Sequence, residues 1–290
     1  MSGRVRKDED EDAERGVPAA AKMVQGWGPE PTLTPLVEAL RKTPLALVAV
    51  LSKRRGAKSH LLKCLLYRLV CERIIRLDSL LVVSATSELN RAYDWVPSGQ
   101  VVSSITEEKL DRIIRFQCDR VERAQARARN SGRAQTVPGL VLVLDDIAGS
   151  GINLQQSPSF RFLCLNGRHC RICCFVLAQQ VKGLFGSAGI RQNLDLVLSG
   201  VLAISQQKAA WEVSVGMKFQ DFSDLLASMP AYSFLQYSNL SEAHEQRWAL
   251  VRAPAELPRF RLGRPMCKKR QLAQDKARLR KPPVQQQPEQ

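Results

Sequence analysis

"LALVAVLSKRRGAKSHLL", residues 45–62, decides how the rest of the chain is read. Residues 45–52 are a continuous apolar run of strand length, and "KSHLLKCLLYRLVCERII" then repeats apolar residues at helical spacing. Strand, loop, Lys, Ser and helix is the order of a phosphate-cradling loop. In such a loop backbone N–H groups point at phosphate oxygens, the Lys reaches the β and γ phosphates, and Ser or Thr meets Mg²⁺. Against the pattern G-x-x-x-x-G-K-[ST], Ser52 holds the first glycine position, Ala57 holds the second, and Gly56 is displaced by one. Ala where the backbone wants positive φ costs about 1 to 2 kcal/mol. Lys53, Arg54 and Arg55 add cations that replace lost N–H contacts to a triphosphate. Taken alone, Ser52, Lys53, Arg54, Arg55, Gly56, Ala57, Lys58, Ser59 and His60 read either as a nucleotide site or as an ordinary basic strand-to-helix turn.

A later strand tips the balance toward ATP. "PGLVLVLDDIAGSG" (138–151) is a buried strand ending in two aspartates, roughly 90 residues after the loop. The carboxyl end of such a strand is where P-loop enzymes place the acid for Mg²⁺. Asp145 is the expected metal residue together with Ser59. Asp146 is the expected base that polarises the attacking water. "RICCFVLAQQ" (171–180) is a further strand, and its Gln179 is a candidate hydrogen-bond partner of the γ-phosphate or lytic water. A solvated strand end remains the plain alternative for each.

The intervening pattern sets the fold. "DSLLVVSAT" (78–86) is another apolar strand, so strand, helix, strand implies parallel pairing. "SSITEEKLDRIIRFQCDRVERAQARAR" opens with a capping-box pattern, Ser104 to Glu107. It lines Leu110, Ile113, Ile114, Gln117, Val121 and Ala124 along one helix face. "LDLVLSGVLAIS", "AYSFLQY" and "RWALVRA" supply further strands. The expectation is an α/β fold: a doubly wound, mainly parallel sheet of the P-loop NTPase type, with ligands at the carboxyl ends of its strands.

Three divisions follow: an arm at residues 1–30, an ATPase domain at 31–256, and a basic tail at 257–290. The arm has no sustained periodicity and is expected to be disordered. Residues 261–290 carry nine Lys/Arg against two acidic residues, +7 of the chain's net +15. A sequence pI of about 9.8 argues for a polyanionic partner, nucleic acid before membrane. No apolar stretch reaches the roughly 18 residues of a membrane span, and the N-terminus lacks the apolar core of a signal peptide. The protein is therefore expected inside the cell with its eight cysteines reduced and packed as small hydrophobes, Cys170 and Cys173 included.

"LVLVLDD", "LNGRHCRICCFVLAQQ", "GIRQNLDLVL" and "YDWVP" (93–97) together resemble the FtsK/HerA superfamily, in particular the poxvirus-type genome-packaging ATPases of large DNA viruses. The resemblance spans about residues 42–253. It implies nucleotide contacts by Lys58 and Ser59, metal and water roles for Asp145 and Asp146, and a polar sensor at Gln179. Arg191 would reach the γ-phosphate of a neighbouring subunit, adding charge that stabilises the transition state. It further implies ATP and Mg²⁺ as cofactors, and a homo-oligomeric ring driving double-stranded DNA into a shell of viral capsid proteins. The setting would be the host nucleus or cytoplasm at sites of virion assembly. Two readings compete with it: a DNA- or capsid-binding structural subunit with a decayed site, and a small-molecule kinase. No segment argues for the acceptor-binding lid a kinase needs.

Overall fold

The computed structural model describes residues 19–262, apart from 28, 29, 31, 76–78, 133–136, 138, 148–151, 186, 215, 241–246, 258 and 259. In chain order the elements are α1 (Thr34–Lys42), β1 (Leu47–Leu51), α2 (Lys58–Cys71), β2 (Leu80–Ser84), α3 (Ser87–Asn90), β3 (Val101–Val102), α4 (Glu107–Ser131) and β4 (Leu140–Asp145). They continue with α5 (Pro158–Asn166), β5 (Ile172–Ala178), α6 (Val181–Leu184), α7 (Ala188–Gln192), β6 (Leu196–Ser199), α8 (Ile204–Val213), α9 (Phe219–Ser228), β7 (Ser233–Ser238) and β8 (Trp248–Arg252).

The strands form one sheet in the order β3-β2-β4-β5-β1-β6-β7-β8. The first six of these are parallel to their neighbours, while β6–β7 and β7–β8 are antiparallel. β1 shows why the apolar run is unbroken: all five of its residues are buried. Leu47, Ala49 and Leu51 enter one core with α4, α5, α8 and α9, and Val48 and Val50 enter the other with α1 and α2. Successive side chains of a strand point to opposite faces, so a strand covered on both sides has no polar face to show. This is the expected mainly parallel, doubly wound α/β sheet.

Three expectations need correction. The arm expected at residues 1–30 is ordered in part: Ala21 and Val24 are buried and Gln25 bridges Ala249 at the sheet's edge. Gln25 N donates to Trp248 O at 3.0 Å, Leu250 N to Gln25 O at 2.7 Å, and Arg252 N to Thr32 O at 2.8 Å. Long-range pairing of this kind leaves no local periodicity to read. The tail likewise begins later than expected: Leu262 is buried and its N–H donates to Trp95 O at 2.7 Å. The remainder of both segments, 1–18 and 263–290, lies outside the described residues.

The second correction is the start of α4. Its cap is Thr106, whose hydroxyl accepts from Lys109 N at 3.4 Å, rather than Ser104. Glu107 leaves its capping-box role because its carboxylate accepts from Ser159 N at 2.8 Å, at the positive N-terminal end of α5. The third concerns the cysteines. Cys118 and Cys170 are disulfide-bonded, tying α4 to the turn before β5. Cys118 flanks the buried stripe Leu110, Ile114, Gln117 and Val121, so the helix lays its thiol over Cys170. Among the described residues no helix is long and apolar enough to cross a membrane.

At the amino ends of β1 and β6, Asp195 is 7% exposed and its carboxylate accepts from Leu47 N at 2.8 Å. Burial pushes its pKa up, against the pull of that hydrogen bond and of Arg168 at 3.9 Å. A raised carboxylate pKa means folding disfavours the charged form. The penalty is therefore present above the folded pKa and absent below the unfolded one. Asp195→Asn, which keeps an acceptor for Leu47 N, is expected to raise the thermal midpoint at pH 7, with the gain vanishing as pH falls towards the unfolded carboxylate value. Calorimetry across that pH range checks it.

Candidate nucleotide site

The loop after β1 is held from both sides. Ser52 N donates to Ala178 O at 3.1 Å at the end of β5, and Lys53 N donates to Val201 O at 2.8 Å beyond β6. Ser52 Oγ adds a bond to Val201 O at 3.0 Å. The positive φ angles fall on Arg55 (61°) and Ala57 (60°), so Ala57 does occupy a left-handed position. Gly56 has a different reason to be glycine: a Cβ there would lie 1.9 Å from Ser52 Oγ and 2.9 Å from Lys53 O. The loop's single glycine thus stands where space is lacking, and the two strained positions carry side chains.

The loop delivers the chain into a 14-residue helix whose N-cap, Ala57, offers no side-chain acceptor. The first-turn N–H groups of α2 therefore converge without a cap, an arrangement suited to an anion. Lys58 is 8% exposed, and its ammonium donates to Ser52 O at 2.8 Å and Lys53 O at 3.1 Å. Burial lowers its pKa, opposed by the charges of Asp145 and Asp146. Lys53, Arg54 and Arg55 are exposed around it.

β5 lies between β1 and β4, with Leu51 in register with Ala178 and Asp145 with Leu177. The three carboxyl ends are flush within one residue, which brings the loop, the acids and the glutamine together. Ser59 Oγ donates to Asp145 Oδ2 at 3.0 Å, and Tyr93 Oη donates to the same oxygen at 2.6 Å. Asp145 is 5% exposed. Burial raises its pKa against the hydrogen bonds from Tyr93 and Ser59 and the charge of Lys58. Burial likewise holds the Tyr93 hydroxyl well above its ordinary value. Beside this pair, Gln179 Nε2 donates to Asp146 Oδ1 at 3.1 Å, and Asp146 itself has a φ of 52°.

A hydroxyl and a carboxylate sharing a hydrogen bond are hard oxygen donors, so Ser59 and Asp145 fit Mg²⁺. Asp146 and Gln179 follow directly on the ends of β4 and β5, beside that pair. His60 turns aside: its Nε2 lies 2.7 Å from Pro254 O and its ring 5.1 Å from that of Tyr232.

Arg191 is not part of this cluster. α7 leads into the amino end of β6, opposite the carboxyl ends that carry the cluster, and there Arg191 Nη1 lies 3.9 Å from Glu212 Oε2. Arg168 sits at that same end, paired with Asp195. Tyr93 was missed as a site residue. Its only sequence signal is the "YDWVP" stretch, in which nothing marks the hydroxyl as a partner of an acid.

No protein-family model matches the sequence, and no curated protein matches it. Among solved structures several are similar to this chain at low identity. The genome packaging NTPase B204 from Sulfolobus turreted icosahedral virus 2, in complex with ATP-gammaS, is 16% identical, with a TM-score of 0.48, over 72% of this chain and 98% of that one. The pCW3 conjugation coupling protein TcpA is 13% identical, TM-score 0.48, over 74% of this chain and 61% of that one. EssC (ATPases 2 and 3) from Geobacillus thermodenitrificans is 15% identical, TM-score 0.49, over 74% of this chain and 40% of that one.

Two loop variants separate the roles of space and strain. Gly56→Ala forces the Ser52 contact and is expected to abolish ATP binding. Ala57→Gly removes a left-handed penalty of about 1 kcal/mol and is expected to bind ATP at least as tightly as wild type. Titration calorimetry reads both. Tyr93→Phe deletes one donor to Asp145 and is expected to lower Mg²⁺-dependent turnover about tenfold at unchanged fold.

Proposed function

We propose that the protein is a Mg²⁺-dependent ATPase that drives double-stranded DNA into a viral capsid, working as a ring of identical subunits. The observation that carries the ATPase reading is the Ser59–Asp145 hydrogen bond, 3.0 Å, at the mouth of a loop closed by Lys58. On ATP binding, Lys58 exchanges two loop carbonyls for β and γ phosphate oxygens, while the first-turn N–H groups of α2 take the remaining charge. Ser59 and Asp145 would hold Mg²⁺, which when bound would supply positive charge to offset the negative charge of the phosphates. Asp146 accepts the proton of the attacking water, and Gln179, bonded to Asp146 before catalysis, orients it. Arg191, at the amino-terminal ends of the strands and away from its own loop, is assigned to a neighbouring subunit's γ-phosphate.

DNA as substrate rests on charge. The net +15 and the basic tail suit a phosphate backbone contacted without regard to sequence, and such binding is steeply salt-dependent. Contact with viral capsid proteins, and a place in the host nucleus or cytoplasm at sites of virion assembly, complete the proposal. A structural subunit that binds DNA or capsid without hydrolysis is the second reading, favoured by the strained Arg55 and Ala57.

The test is ATP hydrolysis by the assembled protein with and without duplex DNA. Wild type is expected to turn over ATP with Mg²⁺ and to be stimulated by DNA. Lys58→Ala and Asp145→Ala should each abolish turnover while circular dichroism stays unchanged. Unchanged turnover in either variant removes the site assignment, and absent turnover in wild type selects the structural subunit. Arg191→Ala should reduce turnover in the oligomer without weakening ATP binding.

A further inference from the structure

A cleft of about 560 Å³ opens directly off the phosphate end of the site. Its mouth is Ser59 and His60, the second and third residues of α2, and it runs along that helix past Lys63. The opposite wall is the segment after β2, with Arg91, Asp94 and Trp95, and Phe260 closes the end. The size suits a small organic ligand and excludes a duplex.

The walls are built rather than loose. Trp95 is 4% exposed, its indole N–H donates to Ala92 O at 2.7 Å, and its carbonyl accepts from Leu262 N at 2.7 Å. The ring of Phe260 lies 5.5 Å from that of Trp95 and 4.5 Å from that of Tyr67, with Lys63 Nζ 5.6 Å from its centroid. The apolar floor is therefore fixed by three elements of the chain. Above it stand cationic and acidic groups of complementary use. Arg91, exposed and at a φ of 51°, presents a planar guanidinium able to stack on a ring or meet a phosphate. Asp94, also exposed, is the lining acid able to accept from hydroxyl or amine donors.

We infer that this cleft seats the nucleoside end of the bound nucleotide, with Asp94 accepting from its donor groups and Arg91 against the base. The inference rests on the ATP-binding reading above. Phosphates on the first turn of α2 would lie beside this cleft, whose lining joins Ser59 to aromatic Trp95 and Phe260 and to charged Arg91 and Asp94. The same segment links this cleft to the metal residue, since Tyr93 binds Asp145 while Trp95 forms the floor.

The test compares ATP with inorganic tripolyphosphate, which carries the phosphates and no nucleoside, on the full chain by titration calorimetry. Asp94→Ala and Arg91→Ala alter exposed side chains and leave the core intact. Each is expected to weaken ATP binding about tenfold, the effect of a lost hydrogen bond to a charged group, and to leave tripolyphosphate affinity unchanged. Phe260→Ala should do the same by opening the end wall. ATP affinity unchanged in both Asp94→Ala and Arg91→Ala overturns the inference, as does equal weakening of ATP and tripolyphosphate. Wild type that binds neither probe overturns instead the nucleotide reading on which the inference stands.

Discussion

Everything at the site depends on the parallel pairing of β4, β5 and β1. Hydrogen bonds between parallel strands fix the register of their ends, and a slip of one residue would turn each buried side chain to the other face. Because both faces of these strands are buried, the register has no slack. Leu51, Ala178 and Asp145 consequently finish within one residue of each other. The loop, the acids and Gln179 inherit their positions from that constraint. The Ser59–Asp145 bond is the place where it becomes chemistry.

The strands that make this core were legible because a doubly covered strand has no polar face. Its sequence is an apolar run, as in β1 and β5, and the chain has few other runs of that length. The acid pair and Gln179 were legible for the same reason, since they stand immediately after such runs. Ala57 was recognised as a glycine position filled by another residue, and it does hold a left-handed backbone. The function of Gly56 was not legible, because the obstacle is the Ser52 side chain four residues back, brought there by the turn itself.

What the sequence hid was tertiary. Tyr93 reaches Asp145 across a separation of 52 residues, and nothing in "YDWVP" marks the hydroxyl as a partner of an acid. The Cys118–Cys170 bond has the same separation, also 52, and joins two cysteines that each read as buried hydrophobes. Glu107 looked like half of a local capping box, and a helix end from elsewhere in the fold claimed it. In each case the partner lies on another element of the fold, where no local pattern reaches.

The strap formed by Gln25 and Thr32 along β8 closes one border of the sheet to a further strand. At one end of the sheet, backbone groups of Trp248, Leu250 and Arg252 that would face a newcomer are already paired. At the other, β3 offers two residues. An exposed strand edge is a template onto which another chain can zip, and such contacts are hard to undo. With both borders blunted, neither edge of the sheet, among the described residues, is a long free template for a second chain.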